Sequence, residues 1–449
     1  MYFFIYEIII LCLIPFALAK LFYRGLHFAS HDLDFQIKLD HLKYLNERFA
    51  IYSKEKKSIW QSRQTVWFHC VSVGETKAIF NLIEILLKQY PKTYFLISHG
   101  TLTGRETRLP ESPRIQRAYL PYDTSGGVKR FLSYYRPNIG LILETELWFN
   151  LINQCKLNKV PLHLINARLS ENSLNKYLPF KKFINTRLLQ LDSIHVRARE
   201  DANNFSSLTE AKIRIMGNIK FDSKAPKDTK EKSIKLKKKL KITDQFVVVV
   251  GSTRPGEEQW LIRKILAFKE SYFRGKINYD ELILVIVPRH PERFDEVEKV
   301  FQRHAIKVTR ISKLGDLKQT PSYILGDTMG DLYEIYGIAD LAIIGGSILN
   351  YGGQNPIEPM SLGIKTAVGG SIYNFSDMVN EAEKHEAILR FDVEVGSTGK
   401  YVSLEDILKN QLFDENQFND RTCVINAKQF IKNSSGSTKK IIELVSQYL

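Results

Sequence analysis

Short apolar runs rich in β-branched residues alternate with amphipathic segments along nearly the whole chain, the pattern of parallel strands covered by helices. A first series runs through Thr65 to Val71, Thr93 to Ser98, Ile139 to Leu143, Pro161 to Ile165 and Ser193 to Val196. A second runs through Phe246 to Val250, Leu282 to Val287, Ser322 to Leu325, Leu341 to Ile344 and Lys365 to Val368. Each series is long enough for its own doubly wound sheet, so two α/β domains are predicted. Between them lies a charged stretch, Lys227 to Lys241, with a lysine run at Lys237 to Lys239, which reads as an exposed connector or first helix. No solenoid period and no long low-complexity tract interrupts the pattern.

The start of the chain breaks that rhythm. Met1 to Ala19 is apolar apart from Glu7, contains Pro15, and is followed by Lys20 and Arg24. At about 28 Å as a helix it matches hydrocarbon thickness, and its basic flank would hold the C-terminal side in the cytoplasm. A membrane anchor is the expectation; a cleaved signal peptide and a helix lying in the interface are the alternatives. The 449 residues exceed what one core usually absorbs. A net charge of +15 gives the surface a field that concentrates anionic partners: nucleotide-activated substrates, acidic lipid or nucleic acid. The four cysteines are scattered with no CxxC pair, which argues against a disulfide framework and a zinc knuckle.

Ligands of doubly wound sheets sit where strands end and helices begin, and nearly every apolar run here is followed by glycine or polar residues. In the first series these are Ser72-Val73-Gly74-Glu75, His99-Gly100-Thr101-Leu102-Thr103-Gly104, Glu144-Thr145-Glu146-Leu147-Trp148 and Asn166-Ala167-Arg168-Leu169-Ser170. In the second they are Gly251-Ser252-Thr253, Pro288-Arg289-His290-Pro291 and Gly345-Gly346-Ser347. Two decorated faces imply a cleft, with a phosphate-bearing donor held in one domain by backbone N–H groups and a fixed cation, for which Arg289 is the candidate. Gly352-Gly353-Gln354-Asn355-Pro356 allows close backbone approach, Pro356 is placed to open a helix, and Glu358 in its first turn serves either the helix dipole or ribose hydroxyls. Asp327-Thr328-Met329-Gly330-Asp331 reads as a cap and turn. An alcohol acceptor needs a base, and Glu75, after Gly74 at the start of a helix expected over Thr76 to Tyr90, is the best placed carboxylate; a helix-dipole partner is the competing reading. Glu144 and Glu146 read as sugar-hydroxyl ligands or helix caps, and Lys220 as a hinge residue or a surface lysine.

In combination and in order, these segments resemble one family. Val71 to Glu75, Glu144 to Trp148, Asn166 to Ser170, Gly217-Asn218-Ile219-Lys220-Phe221-Asp222, Pro288 to Phe294, Asp327 to Gly330 and Asn355 to Pro359 look like the signature blocks of 3-deoxy-D-manno-octulosonic acid (Kdo) transferases. The resemblance implies an α/β GT-B fold, two Rossmann-like domains facing across a cleft behind an N-terminal anchor. Its divisions fall at 1–24, 25–225 and 226–449, the last helix being able to pack back on the N-terminal domain. It further implies transfer of Kdo from CMP-Kdo to the lipid A precursor, lipid IVA, on the cytoplasmic face of the inner membrane. Glu75 matches the general base, and a carboxylate of the Glu144–Glu146 pair together with Lys220 matches the transition-state partners. Pro288, Arg289, Met329, Gly330, Asp331, Asn355, Pro356, Ile357 and Glu358 match the CMP-binding segments. Gln354 stands where a histidine is common, and Asp331 where a glutamate is frequent.

The implied partners are CMP-Kdo, lipid IVA and an anionic membrane surface, with no cofactor or metal. Asp32-Leu33-Asp34 has the letters of a metal-binding DxD pair but precedes any sheet, and a CMP-sugar lacks the diphosphate such an ion would bridge. Nucleic acid is disfavoured, since Lys227 to Lys241 carries no aromatic residue and is interspersed with acids.

Overall fold

The computed structural model describes residues 2–27, 44–53, 60, 62–222, 225–272, 282–393, 401–414 and 420–449. Asp32-Leu33-Asp34 lies outside the described residues, as do the side chains of Lys20 and Arg24. The chain divides into two compact units, one comprising Met1–Asp222 with Ser434–Leu449 and the other Ser223–Asn433.

The first unit is built on seven parallel strands: β1 (Thr65–His69), β2 (Tyr94–His99), β3 (Ile115–Tyr119), β4 (Ile139–Leu143), β5 (Leu162–Ala167), β6 (Ser193–Val196) and β7 (Ile213–Ile215). Their order is β3-β2-β1-β4-β5-β6-β7, so the winding reverses between β1 and β4. Alternation along β1 feeds two cores. Val66 and Phe68 join Ile79, Leu82, Ile83 and Leu86 on one face, while Trp67 meets Phe131 and Leu151 on the other. The final helix, Ser437–Ser446, places Ile441, Leu444 and Val445 in the first of these layers.

In the second unit eight strands, β8 (Phe246–Thr253), β9 (Leu282–Pro288), β10 (Thr309–Arg310), β11 (Tyr323–Leu325), β12 (Leu341–Ile344), β13 (Lys365–Val368), β14 (Leu389–Asp392) and β15 (Val402–Ser403), run parallel. Their order is β10-β11-β9-β8-β12-β13-β14-β15, with the reversal between β8 and β12. Every residue of β8 and β9 is buried, as expected of central strands covered on both faces.

Two expectations need correction, and one that left alternatives open is decided. The helix expected over Thr76 to Tyr90 is two helices, Val73–Ala78 and Phe80–Gln89, broken at Ile79. Of the two readings of Lys227 to Lys241, the first helix holds: it contains the helix Thr229–Lys239, in which Ser233 is buried and donates to the Glu334 carbonyl, and Lys232 pairs with Glu334 at 2.7 Å. The N-terminal segment does form a helix, Tyr2–His27, but among the described residues no helix is long and apolar enough to cross a membrane. The anchor expected over 1–24 is therefore not supported as a span. Tyr6 donates to Asp123 at 2.6 Å, and Glu7 accepts from the Ser125 amide at 3.0 Å and from Asn150 Nδ2 at 2.5 Å, so one side of this helix docks by polar contacts on the first unit.

Candidate functional site

In the first unit, the loops after β1 and β4 flank the reversal of winding, where such sheets leave room for ligands. Ser72 caps the helix Val73–Ala78 and forms a capping box with Glu75. The Glu75 carboxylate accepts from the Val71 amide at 2.7 Å, the Ser72 amide at 3.2 Å and the Ser72 hydroxyl at 2.7 Å. The helix-terminus reading of Glu75 is thus realised in the geometry. Burial nevertheless raises its pKa above the ordinary carboxylate range, and the charge of Glu144 adds to this against the lowering effect of the hydrogen bonds. Glu75 is only 6% exposed. The turn after β2 supports this corner from below: Thr101 donates to the Val71 carbonyl at 2.9 Å, and a Cβ on Gly104 would lie 2.9 Å from that same oxygen.

Glu144 stands at the end of β4 with φ of 59°, a backbone conformation that non-glycine residues adopt only when their surroundings impose it. The Ile165 carbonyl fixes its amide at 2.9 Å, and Arg197 grips its carboxylate at 2.6 Å. Lys220 Nζ lies 3.8 Å from the same Glu144 oxygen. Asn166, likewise left-handed at the end of β5, accepts from the Ile219 amide at 3.1 Å and so ties down the short helix Ile219–Asp222 that carries Lys220. Glu146 is half-buried. Burial, then the charges of Glu75 and Glu144, push its pKa up to about 7. The structure therefore brings Glu75, Glu144, Glu146 and Lys220 together around one corner of the first sheet, and adds Arg197. That arginine follows directly on β6 and offered no motif in the sequence.

In the second unit, Arg289 follows β9 directly, its amide donating to the Thr253 carbonyl at 3.1 Å. Arg254, past the end of β8, donates to His290 Nε2 at 2.8 Å, and its own Nε is buried without a partner. The segment Asp327 to Asp331 does turn the chain into the helix Leu332–Tyr336, with Asp331 at the cap position, while Asp327 itself is tied elsewhere. It accepts from Arg310 Nε at 2.6 Å and the Ser312 amide at 2.8 Å; burial opposes its ionisation, but bonds from Ser312 and Arg310 hold its pKa below the usual value. Asp331 occupies the cap position of the helix Leu332–Tyr336 without a side-chain cap bond, while Met329 projects into solvent at 64% exposure and Gly330 turns the chain at φ of 95°. Pro356 does open the helix Ile357–Leu362, and Glu358 lies in its first turn, where Asn355 Nδ2 donates to it at 3.2 Å. Asn355 also accepts from the Ile357 amide at 3.1 Å. Among the described residues no group of three His, Cys, Asp or Glu is arranged to hold a metal ion.

Over 86% of the chain the fold is similar to that of a crystallised UDP-N-acetylglucosamine 2-epimerase, with a TM-score of 0.50, 14% identity and 96% of that chain covered. This is a likeness of fold alone: two parallel-sheet α/β domains with GT-B-like neighbours. Sequence narrows the class. Residues 43–223 match the model of the 3-deoxy-D-manno-octulosonic-acid transferase (kdotransferase) family. A 3-deoxy-D-manno-octulosonic acid transferase of Bordetella pertussis is 32% identical over 333 residues, 72% of this chain and 76% of that one. One of Haemophilus influenzae is 29% identical over 409 residues, 90% and 91% of the respective chains. The chain belongs to the Kdo transferase family, and it is an enzyme, a glycosyltransferase.

Proposed function

We propose that this enzyme transfers Kdo from CMP-Kdo to the lipid A precursor, lipid IVA, and that Glu75 is its general base. The observation that carries the reading is the Glu75 carboxylate, buried at the winding reversal, fixed by three donors and more basic than an ordinary glutamate. A hydroxyl becomes a competent nucleophile as its proton leaves, and a base with a raised pKa accepts that proton more readily. In the proposed step the acceptor oxygen forms a bond to the anomeric carbon of Kdo and its proton passes to Glu75. The bond from that carbon to the phosphate oxygen breaks, and CMP departs with the electron pair.

Lys220, beside Glu144, is proposed to stabilise charge developing in that step, and Glu144 to hold Lys220 and Arg197 in place. Of the two carboxylates offered by the sequence, Glu144 is the one whose geometry supports the partnership. Glu146, with a pKa near neutrality, is proposed to stay partly protonated, which limits the negative charge beside Glu75. Pro288, Arg289, Met329, Gly330, Asp331 and Asn355 to Glu358 are proposed to receive the CMP moiety. Transfer is proposed to need no metal or other cofactor, because CMP leaves as a monophosphate.

The N-terminal helix is proposed to lie on the cytoplasmic face of the inner membrane instead of spanning it. Phe4, Ile5, Ile8, Ile9, Leu11, Leu13 and Phe16 are exposed, while Tyr6 and Glu7 dock on the protein. The direct test of substrate identity is incubation of the enzyme with CMP-Kdo, made in situ, and tetraacyl lipid A precursor, with products resolved by mass. A product heavier by whole Kdo units supports the reading. Transfer to a different acceptor only, with lipid IVA untouched by folded enzyme in bilayers, contradicts it.

A further inference from the structure

Two adjacent carboxylates stand outside the site residues named so far. Glu257 and Glu258 open the helix Glu257–Tyr272, and both are 0% exposed. Buried carboxylates are costly unless every oxygen is satisfied, and here each is. Glu257 Oε2 accepts from the amides of Arg254 at 2.8 Å and Gly346 at 2.7 Å, and Oε1 from those of Ile348 at 3.0 Å and Leu349 at 3.2 Å. Glu258 faces the other way. It takes both Arg293 Nη groups, at 2.8 and 3.0 Å, and the Thr253 hydroxyl at 2.5 Å.

Since β8 runs between β9 and β12, this one helix start grips the loops that follow both neighbours of β8, one carboxylate to each side. Glu257 does so across the reversal of winding, where a ligand of the sheet is expected. With about four acceptor sites on a carboxylate and four amides bound, Glu257 has no capacity left to act as base or ligand. Its role is to shape backbone. The loop it holds continues into the nucleotide segment: the Gly353 amide donates to the Gly346 carbonyl at 2.7 Å, and the Gln354 amide to the Gly345 carbonyl at 3.0 Å, immediately before Asn355.

We infer that Glu257 is a positioning residue for donor binding: its four backbone hydrogen bonds preset the Gly345–Gln354 loop in the form that receives the nucleotide, before the nucleotide arrives. The inference rests on the reading of the second unit as the CMP-Kdo unit. A loop ordered in advance loses less conformational freedom on binding and so holds its ligand more tightly. Glu257→Gln is nearly isosteric but turns an NH2 group toward two amides that now donate to an oxygen, which releases that side of the loop.

The experiment compares wild type, Glu257→Gln and, as a stability control, Leu408→Ala in the core of the same unit. The readouts are the CMP dissociation constant by calorimetry, KM for CMP-Kdo, kcat at saturating donor, and hydrogen exchange of the Gly346–Leu349 amides without ligand. Glu257→Gln is expected to weaken CMP binding and raise the donor KM by about tenfold or more, at least the equivalent of one of the two hydrogen bonds lost, and to change kcat by less than about twofold. Leu408→Ala is expected to lower the thermal midpoint at least as much without moving the CMP dissociation constant. In free wild type the Gly346, Ile348 and Leu349 amides, each bonded to Glu257, are expected to exchange slowly. Unchanged CMP binding in Glu257→Gln, equal weakening in Leu408→Ala, or loop amides that become protected only when CMP is added each overturn the inference. A folded wild type that does not bind CMP defeats the donor reading first, and the inference with it.

Discussion

Removing Arg293 while leaving Glu258 in place tests how much of the second unit's stability depends on the buried pair. The two side chains meet through parallel bonds of 2.8 and 3.0 Å, with Arg293 7% exposed and Glu258 fully buried. Arg293→Met deletes both bonds and strands a carboxylate whose one remaining partner among these is the Thr253 hydroxyl. Breaking a buried pair from one side costs about 3–5 kcal/mol, mostly because the survivor stays desolvated. Replacing both partners, Arg293→Met with Glu258→Met, removes the stranded charge and should recover most of that loss. Two units need not unfold together, so a global denaturation curve is the wrong assay. Native-state hydrogen exchange of the β8 amides reports opening of the second unit by itself. At about 1.4 kcal/mol per decade, the single variant should lose roughly two to three and a half decades of protection in β8, the double variant clearly less, and β1 in the first unit should not change. A single variant within about 1 kcal/mol of wild type, or a double variant no better than the single, would refute the argument that the charge itself carries the cost.

Two further outcomes follow from the geometry. The folded pKa of Glu146, about 7, lies above its ordinary value of 4.5, so the folded state holds this proton longer than the unfolded chain does. Stability is therefore lost as pH rises from about 4.5 through 7, and Glu146→Gln should flatten that part of a thermal-midpoint profile; a slope retained in the variant assigns it to other groups, Asp123 with its pKa of about 6 among them. Gly251→Ala would set a Cβ 2.0 Å from the hydroxyl oxygen of the fully buried Tyr336, and should cost the second unit about 1–3 kcal/mol or more, read by the same exchange experiment; a neutral substitution would mean that Tyr336 moves freely.

The central strands were legible because burial on both faces demands unbroken apolar runs, and β1, β4, β8, β9 and β12 have them. Strands β3, β7, β10, β14 and β15 were not. Strands β7, β10 and β15 are only two or three residues long, and β3, β7, β10 and β15 lie at the sheet edges, where one side needs no cover and polar residues such as Gln116 and Arg117 are admitted. Glu75, Glu144 and Glu146 could be found as polar residues after strands, because strand ends are where a doubly wound sheet exposes backbone, whereas Lys220 read only as a hinge or surface lysine until the family resemblance singled it out. What the letters did not carry was pairing. Nothing in Glu257-Glu258 distinguishes two exposed helix-dipole partners from two buried clamps, since the amides and the guanidinium they bind lie 35 to 92 residues away for all but Arg254. The N-terminal segment misled for a related reason. Apolar content over 19 residues suggests a span, but Tyr6 and Glu7 turn one side of the helix toward Asp123 and Asn150, more than a hundred residues on.

The central claim is that Glu75 removes the acceptor's proton, and single-turnover transfer from CMP-Kdo to tetraacyl lipid A precursor tests it most directly when wild type is compared with Glu75→Gln across pH. Gln retains an oxygen for part of the capping box but cannot take a proton, so the account predicts a transfer rate lower by about 10²- to 10⁴-fold, CMP affinity unchanged, and loss of the acid limb that wild type shows as its base protonates. A Glu75→Gln enzyme that transfers Kdo within a few-fold of the wild-type rate, with the same acid limb, would leave Glu75 as a helix cap and contradict the account.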